Sequence, residues 1–264
     1  MSEIHDLLRQ ARAYIEQLAD SGVDEVVLEN KIEPRVVEPK AARPPVEAPA
    51  PTAAPAPADR EERRRRLGTL EAEVKSCTKC RLHESRTQTV FARGNPEAEI
   101  AFVGEGPGFE EDKQGFPFVG PAGRLLDRMI AAMGYERDDV YVLNAVKCRP
   151  PNNRKPEPDE IAACAPYMRE QIALVDPKVM VALGATGVEA LIGNTVGITR
   201  LRGTWKAYKG KIPIMPTFHP AYLLRSPEKK RDVWEDLKAV LKHLGKEPPP
   251  AKRPGERPKK SGER

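Results

Sequence analysis

The segment AEIAFVGEGPGFEEDKQGFPFVGPAG (residues 98–123) opens on an apolar run and then breaks into closely spaced glycines. The run 98–103 has the length and composition of a buried strand, and residues 122–133 space their apolar positions as a helix does. A strand that leads through a glycine-rich turn into a helix is half of a β-α-β unit. The same pattern recurs along the chain. Strands fit about 140–146 (VYVLNAV), 178–183 (KVMVAL) and 212–217 (IPIMPT), and helices fit about 60–75, 157–174, 185–192 and 228–244. Nearly continuous apolar strands alternating with helices predict a parallel sheet covered on both faces. In such sheets ligands bind beyond the carboxyl ends of the strands. Four distinctive stretches fall there: GEGPG (104–108), NAVKC (144–148), LGATG (183–187) and FHP (218–220).

Beyond this body the composition changes. The chain has 264 residues, 27 of them Pro, with 39% hydrophobic residues and a mean hydropathy of −0.56, lean for a wholly globular protein. Residues 1–30 form a short amphipathic segment, with Ile4, Leu7, Leu8, Ala11, Ile15 and Leu18 on one helical face. Such a stripe must dock on the body, self-associate or bind a protein partner. Residues 31–59 are expected to be a linker, because 34–57 hold 8 Pro and 7 Ala. Residues 60–245 make up the folded domain, expected to be monomeric, and 246–264 a basic, Pro-rich disordered tail. The net charge of +5 is uneven: residues 1–59 hold 6 basic and 11 acidic side chains, so the remainder is distinctly basic. A basic body suits a polyanion such as nucleic acid. No apolar run reaches the length of a membrane span and no secretory signal opens the chain, so a cytoplasmic location is expected and no membrane partner.

The four cysteines are Cys77, Cys80, Cys148 and Cys164, spaced C-x2-C and C-x15-C. A close pair is a ready metal clamp, and four thiolates complete a site. Zinc ribbons use two close pairs, and only one pair is close here. A four-iron cluster needs one thiolate per iron and tolerates the wider spread. Spacing alone leaves zinc, or unrelated structural cysteines, open.

Local reading also leaves FHPAYLLRSP (218–227) open. Pro220 can open a helix after a strand end, or the apolar Leu223 and Leu224 can belong to a loop that meets a ligand. The glycine-rich segment 104–123 is neither a dinucleotide fingerprint nor a Walker loop, and its acids Glu105, Glu110, Glu111 and Asp112 would repel phosphate.

GEGPG with its trailing EED and PFVG, NAVKCRPPNNRKP, the cysteine spacing and HPAYLLR stand in one order over residues 67–244. Together they resemble the family 4 uracil-DNA glycosylases, bacterial and archaeal enzymes that carry an iron–sulfur cluster. The resemblance implies an α/β fold with a three-layer α/β/α arrangement around a four-stranded parallel sheet. It also implies one 4Fe–4S cluster held by Cys77, Cys80, Cys148 and Cys164. The substrate would be uracil-containing DNA, single- or double-stranded. Excision would leave an abasic site for base-excision repair.

The resemblance gives the residues roles. Phe118 offers a face for stacking the flipped base, and Glu105 and Gly106 belong to its pocket. The Asn144 amide accepts from uracil N3–H and donates to O4, so cytosine meets a mispaired edge. His219, as a neutral donor, faces the charge that develops on O2 of the leaving base. Leu223, Leu224 and Arg225 read as the loop that enters the minor groove and fills the gap. The aspartate that many glycosylases use to activate water is absent, and Gly106 stands in its place. Glu111 and Asn153 are the groups nominated to place the water.

Two departures stand out. Phe109 occupies a position where the family commonly has an acid, and the N-terminal extension exceeds the usual short form. A related branch traps uracil on a histidine after the second strand, but CRPPNNRKPEP holds none, so turnover is expected. The rival reading is an iron–sulfur or zinc DNA-binding module without catalysis, which would need neither Asn144 nor His219. An electron-transfer protein is a weaker rival, because no docking site for a redox partner is evident.

Overall fold

The computed structural model describes residues 57–250 with the exception of Asn194. The amphipathic segment, most of the linker and residues 251–264 of the tail lie outside the described residues. The first helix, α1 (Pro57–Lys75), starts within the final residues of the Pro/Ala tract rather than at residue 60.

The expected strands appear as β2 (Ile100–Gly104), β3 (Tyr141–Asn144), β4 (Val179–Leu183) and β6 (Ile212–Thr217). They pair in parallel in the order β3-β2-β4-β6. Two short antiparallel edge strands extend the sheet to six: β1 (Arg93–Gly94) beside β3, and β5 (Lys206–Tyr208) beside β6. Neither was read from the sequence, because two or three residues carry no measurable alternation.

Period-2 alternation divides each central strand between two cores. Ala101, Val103, Met180, Ala182 and Ile214 face one layer, which holds Leu67, Leu70 and Val74 of α1 and Met168 and Ile172 of α4 (Pro158–Val175). That layer also takes Val188 and Leu191 of α5 (Gly184–Ile192). Ile100, Phe102, Val142, Val181 and Met215 face the other, against Leu125, Leu126 and Ile130 of α3 (Pro121–Ala132). Val233, Leu237 and Val240 of α8 (Lys230–His243) complete that side. Both faces are thus covered, as the strand composition required.

Three short helices complete the chain order: α2 (Phe109–Gln114), α6 (Ile198–Leu201) and α7 (Pro220–Arg225). Among the described residues no helix is long and apolar enough to cross a membrane. Registers of Gly104 with Asn144 and of Leu183 with Thr217 bring the carboxyl ends of the four parallel strands level. The loops that leave those ends build the site.

Candidate active site

Beyond the strand ends lies a cavity of about 870 Å³ whose wall includes Glu105, Gly106, Phe118, Asn144, Thr186 and His219. All four strand-end stretches therefore contribute to one place.

Asn144 ends β3 and is buried, and its side-chain Oδ1 has no hydrogen-bond partner. A buried amide oxygen left unpaired costs about 1–3 kcal/mol, so this atom awaits a donor. Gly104, its partner on β2, has no side chain for a reason. A Cβ there would overlap Asn144 Oδ1 and come within 2.6 Å of the Phe118 ring tip.

Phe118 is buried yet has φ 57, a left-handed conformation costly for an aromatic residue. Three contacts hold it there. Glu111 Oε1 accepts from Val119 N–H and Gly120 N–H (both 2.9 Å), and Glu111 Oε2 accepts from Gly108 N–H at 3.2 Å. Buried Arg93 donates from Nε to the Pro117 carbonyl at 3.1 Å and from Nη2 to Asp127 at 2.5 Å. Gly123 lets the first turn of α3 sit directly on the Phe118 backbone, where any Cβ would clash. Glu111, nominated to place a water, borders the cavity, and its oxygens accept from three backbone N–H groups, by which it shapes the loop under Phe118.

His219 follows β6 and caps α7. Ala221 N–H donates to His219 Nδ1 at 3.1 Å, so the neutral ring carries its proton on Nε2. Burial, helped by the Arg225 guanidinium, pushes the imidazole down to about 4. The ring is thus a neutral N–H donor near pH 7. Its centroid lies 5.6 Å from that of Phe118. The strand end beneath is fixed by Thr217, which donates to Asp236 at 2.6 Å, and by Arg202, which donates to the same carboxylate.

Glu105 Oε2 accepts from Thr186 Oγ1 at 2.5 Å. Asn153 is exposed at the cavity wall, with Oδ1 accepting from Arg149 Nε at 2.7 Å. Leu223 and Leu224 part company. Leu223 is buried to 1% in the core on the α3 side of the sheet, so its expected place in the DNA-facing loop is corrected. Leu224 is 44% exposed, and Arg225 is exposed beside it. The stretch 220–225 is helical from Pro220 onward, which turns its first leucine inward.

The four cysteines, none in a disulfide, line a second, smaller cleft together with Arg86, Lys147 and Tyr167. Arg86 Nη1 donates to Cys148 Sγ at 3.1 Å, and Lys147 N–H donates to Cys164 Sγ at 3.3 Å. Burial pushes the Cys164 thiol up to about 11, and raises Cys148 and Cys80 as well. Among the described residues no three Cys, His, Asp or Glu side chains are arranged to hold a single metal ion. Lys147 is itself fully buried, and its Nζ donates to the Asn144 carbonyl at 2.7 Å.

Arg93, Thr186 and Lys147 were not singled out from the sequence. Thr186 and Lys147 lie inside LGATG and NAVKC, which marked them by position. For Arg93 no local signal exists, since its contacts are to residues more than twenty positions away.

Residues 91–238 match the family model described as the uracil DNA glycosylase superfamily. The type-4 uracil-DNA glycosylase of Thermotoga maritima is 50% identical over 177 residues, covering 66% of this chain and 92% of the relative. That of Sulfurisphaera tokodaii is 47% identical over 182 residues, covering 66% and 83%. A type-5 uracil-DNA glycosylase of Thermus thermophilus is 36% identical over 116 residues, covering 38% and 52%.

Proposed function

The chain belongs to the uracil-DNA glycosylase superfamily, in its type-4 branch, and on that premise we propose how its residues release uracil from DNA. It is a glycosylase that hydrolyses the bond between uracil and deoxyribose. The observation that carries the mechanism is the unpaired Asn144 Oδ1 in the same cavity as the Phe118 ring and the His219 N–H donor.

A flipped uracil stacks on Phe118 and turns its polar edge to Asn144. Its N3–H then reaches Oδ1, and its O4 accepts from the amide nitrogen. Cytosine presents an acceptor and a donor in the opposite order. It is refused as long as the amide holds its orientation, with Oδ1 lodged against Gly104. Bond cleavage leaves negative charge on the base, chiefly at N1 and O2. His219 Nε2–H donates to it, a contribution of about 3–4 kcal/mol for one fixed donor. The proton stays on Nε2 because Nδ1 is engaged by Ala221.

Water placement falls to Glu105 and Asn153. Thr186 fixes one oxygen of Glu105, and the carboxylate borders the cavity. An oxocarbenium-like sugar needs a positioned water more than a strong base. Leu224 is the apolar group that enters the vacated stack, and Arg225 meets the phosphate backbone.

Cys77, Cys80, Cys148 and Cys164 are proposed to hold one 4Fe–4S cluster. Four thiols on one cleft supply one ligand per iron, and the cations Arg86 and Lys147 beside them suit four thiolates. Held there, such a cluster would cross-link the segment that follows α1, the segment after β3 and α4; no step of excision passes through it. The four cysteines, none in a disulfide, support the reading of a reducing compartment such as the cytoplasm.

The test is incubation with a uracil-containing oligonucleotide followed by alkali. Cleavage at the uracil position, absent for the same oligonucleotide carrying thymine or cytosine, is the expected result. No cleavage with single- or double-stranded substrate would refute it.

A further inference from the structure

Phe109 opens α2 as a large apolar side chain that is 46% exposed, and it borders the same cavity as Phe118, Asn144 and His219. Two cations attend its ring: Lys113 Nζ at 4.2 Å from the centroid and Arg149 Cζ at 5.1 Å. Neither cation has a carboxylate partner among the described residues. Arg149 is held by Asn153, in a turn where Asn152 and Asn153 both have φ 55. The base pocket is thus continuous with a rim that combines an exposed aromatic face and two uncompensated positive charges. Of the four acids expected to repel phosphate, Glu105, Glu110 and Glu111 border this cavity; Glu105 is engaged by Thr186, Glu111 by the backbone N–H groups of Gly108, Val119 and Gly120, and Asp112 by Thr87 N–H, which leaves Glu110 as the acid beside Phe109. Exposed aromatics interleaved with Lys and Arg are the chemistry by which proteins hold single-stranded nucleic acid.

We propose that Phe109, Lys113 and Arg149 form a subsite for the nucleotide next to the flipped uracil on the same strand, its base stacking on Phe109 and its phosphates lying between the two cations. This rests on the reading that the neighbouring cavity receives uracil. A base that stacks on the ring displaces a cation from its face, and the freed cation turns to a phosphate. The exchange is favourable because base stacking outweighs an exposed cation–π contact. In a duplex the neighbouring base stays paired, so the subsite acts mainly on single strands.

The test compares wild type, Phe109→Ala and Phe109→Trp on single-stranded oligonucleotides with one uracil. The neighbouring nucleotide is either intact or replaced by an abasic analogue, on the 5′ and the 3′ side in turn. Phe109→Ala should raise KM about tenfold on the intact strand, the usual effect of losing one stacked base, with the saturating single-turnover rate unchanged. The abasic analogue on one side should cost wild type the same factor and cost Phe109→Ala nothing further. Phe109→Trp should restore wild-type KM. Losses that simply multiply, or a Phe109→Ala variant equal to wild type on every strand, would overturn the subsite while leaving uracil excision intact. Wild type that releases no uracil from any strand would overturn the excision reading and the subsite with it. Should Phe109→Ala fail to fold, the abasic strands still decide with wild type: equal KM on all of them overturns the proposal.

Discussion

Leu223→Ala and Leu224→Ala should do opposite things, although the residues are adjacent. Leu223 is 1% exposed in the core on the α3 side of the sheet, so its truncation removes buried methyl groups and leaves a cavity. Such changes cost about 2–5 kcal/mol, and in a domain of this size each kcal/mol lowers Tm by roughly 2–4 °C. Leu224 is 44% exposed, and its loss should leave Tm within a degree or two. Its contribution lies in the complex. Full burial of a leucine side chain is worth about 1.5–3 kcal/mol, so covering the exposed part gains about 1 kcal/mol. That gain matters only where a base must leave its stack, which costs a few kcal/mol in a duplex and least in a single strand. Single-turnover excision by Leu224→Ala should therefore slow about fivefold on a U·A pair, less on U·G, and hardly at all on single-stranded DNA. Leu223→Ala should slow all three alike, and only as far as unfolding reduces active protein. Melting curves beside the three rates give the answer. A Leu224→Ala variant that loses Tm and slows every substrate equally would refute the division of the two leucines.

Five further outcomes follow from the site. His219→Ala should lower the saturating single-turnover rate by about 10²–10³, read with a quenched-flow or gel assay. His219 is held at about 4 against an ordinary 6.5, so the unfolded chain takes up the proton first. Its contribution to stability is complete above about pH 6.5 and fades as pH falls toward 4; in a pH series of melts the difference between wild type and His219→Ala should change with pH only in that window. Asn144→Ala should lose uracil binding, seen as weaker inhibition by free uracil, while Asn144→Asp, with an acceptor edge, should gain activity on cytosine. Glu111→Gln should lower Tm and loosen Phe118, whereas Glu105→Gln should leave Tm nearly unchanged and reduce the rate. Iron and sulfide analysis of protein purified without air should return about four of each per chain, and Cys164→Ala should lose both.

The parallel sheet was legible because each central strand is apolar on both faces, and β2, β4 and β6 are punctuated by glycine or proline at their carboxyl ends. Asn144 and His219 lie in stretches that their place at the ends of apolar strands marked, while the roles expected of them came from the family resemblance. The side-chain roles were less so. Glu111 reads in sequence as one acid among four, and only the fold shows its carboxylate turned back onto Val119 and Gly120. Leu223 and Leu224 look equivalent in HPAYLLR; the helical start at Pro220 separates them by a hundred degrees and sends one to the core. Arg93 was illegible altogether, since what it does is set by Pro117 and Asp127, which the chain brings to it from a distance.

The run NAVKC shows why two motifs of different chemistry sit so close in sequence. Asn144 is the last residue of β3, with its amide in the base cavity, and four residues later Cys148 borders the cysteine cleft. Lys147 lies between them with no water to solvate it. Its ammonium is hydrogen-bonded to the Asn144 carbonyl, and its backbone N–H is bonded to Cys164 on α4. Burial depresses this lysine, and with the sulfurs of Cys164 and Cys148 opposing that shift it is held at about 8. The buried ammonium donates to the strand-end carbonyl of Asn144, and the sulfurs of Cys164 and Cys148 favour its charged form. Moving those two cysteines away from β3 would remove part of that compensation from a buried charge at the strand end. The short spacing from Asn144 to Cys148 thus ties the cavity residue to the cysteine cleft through Lys147.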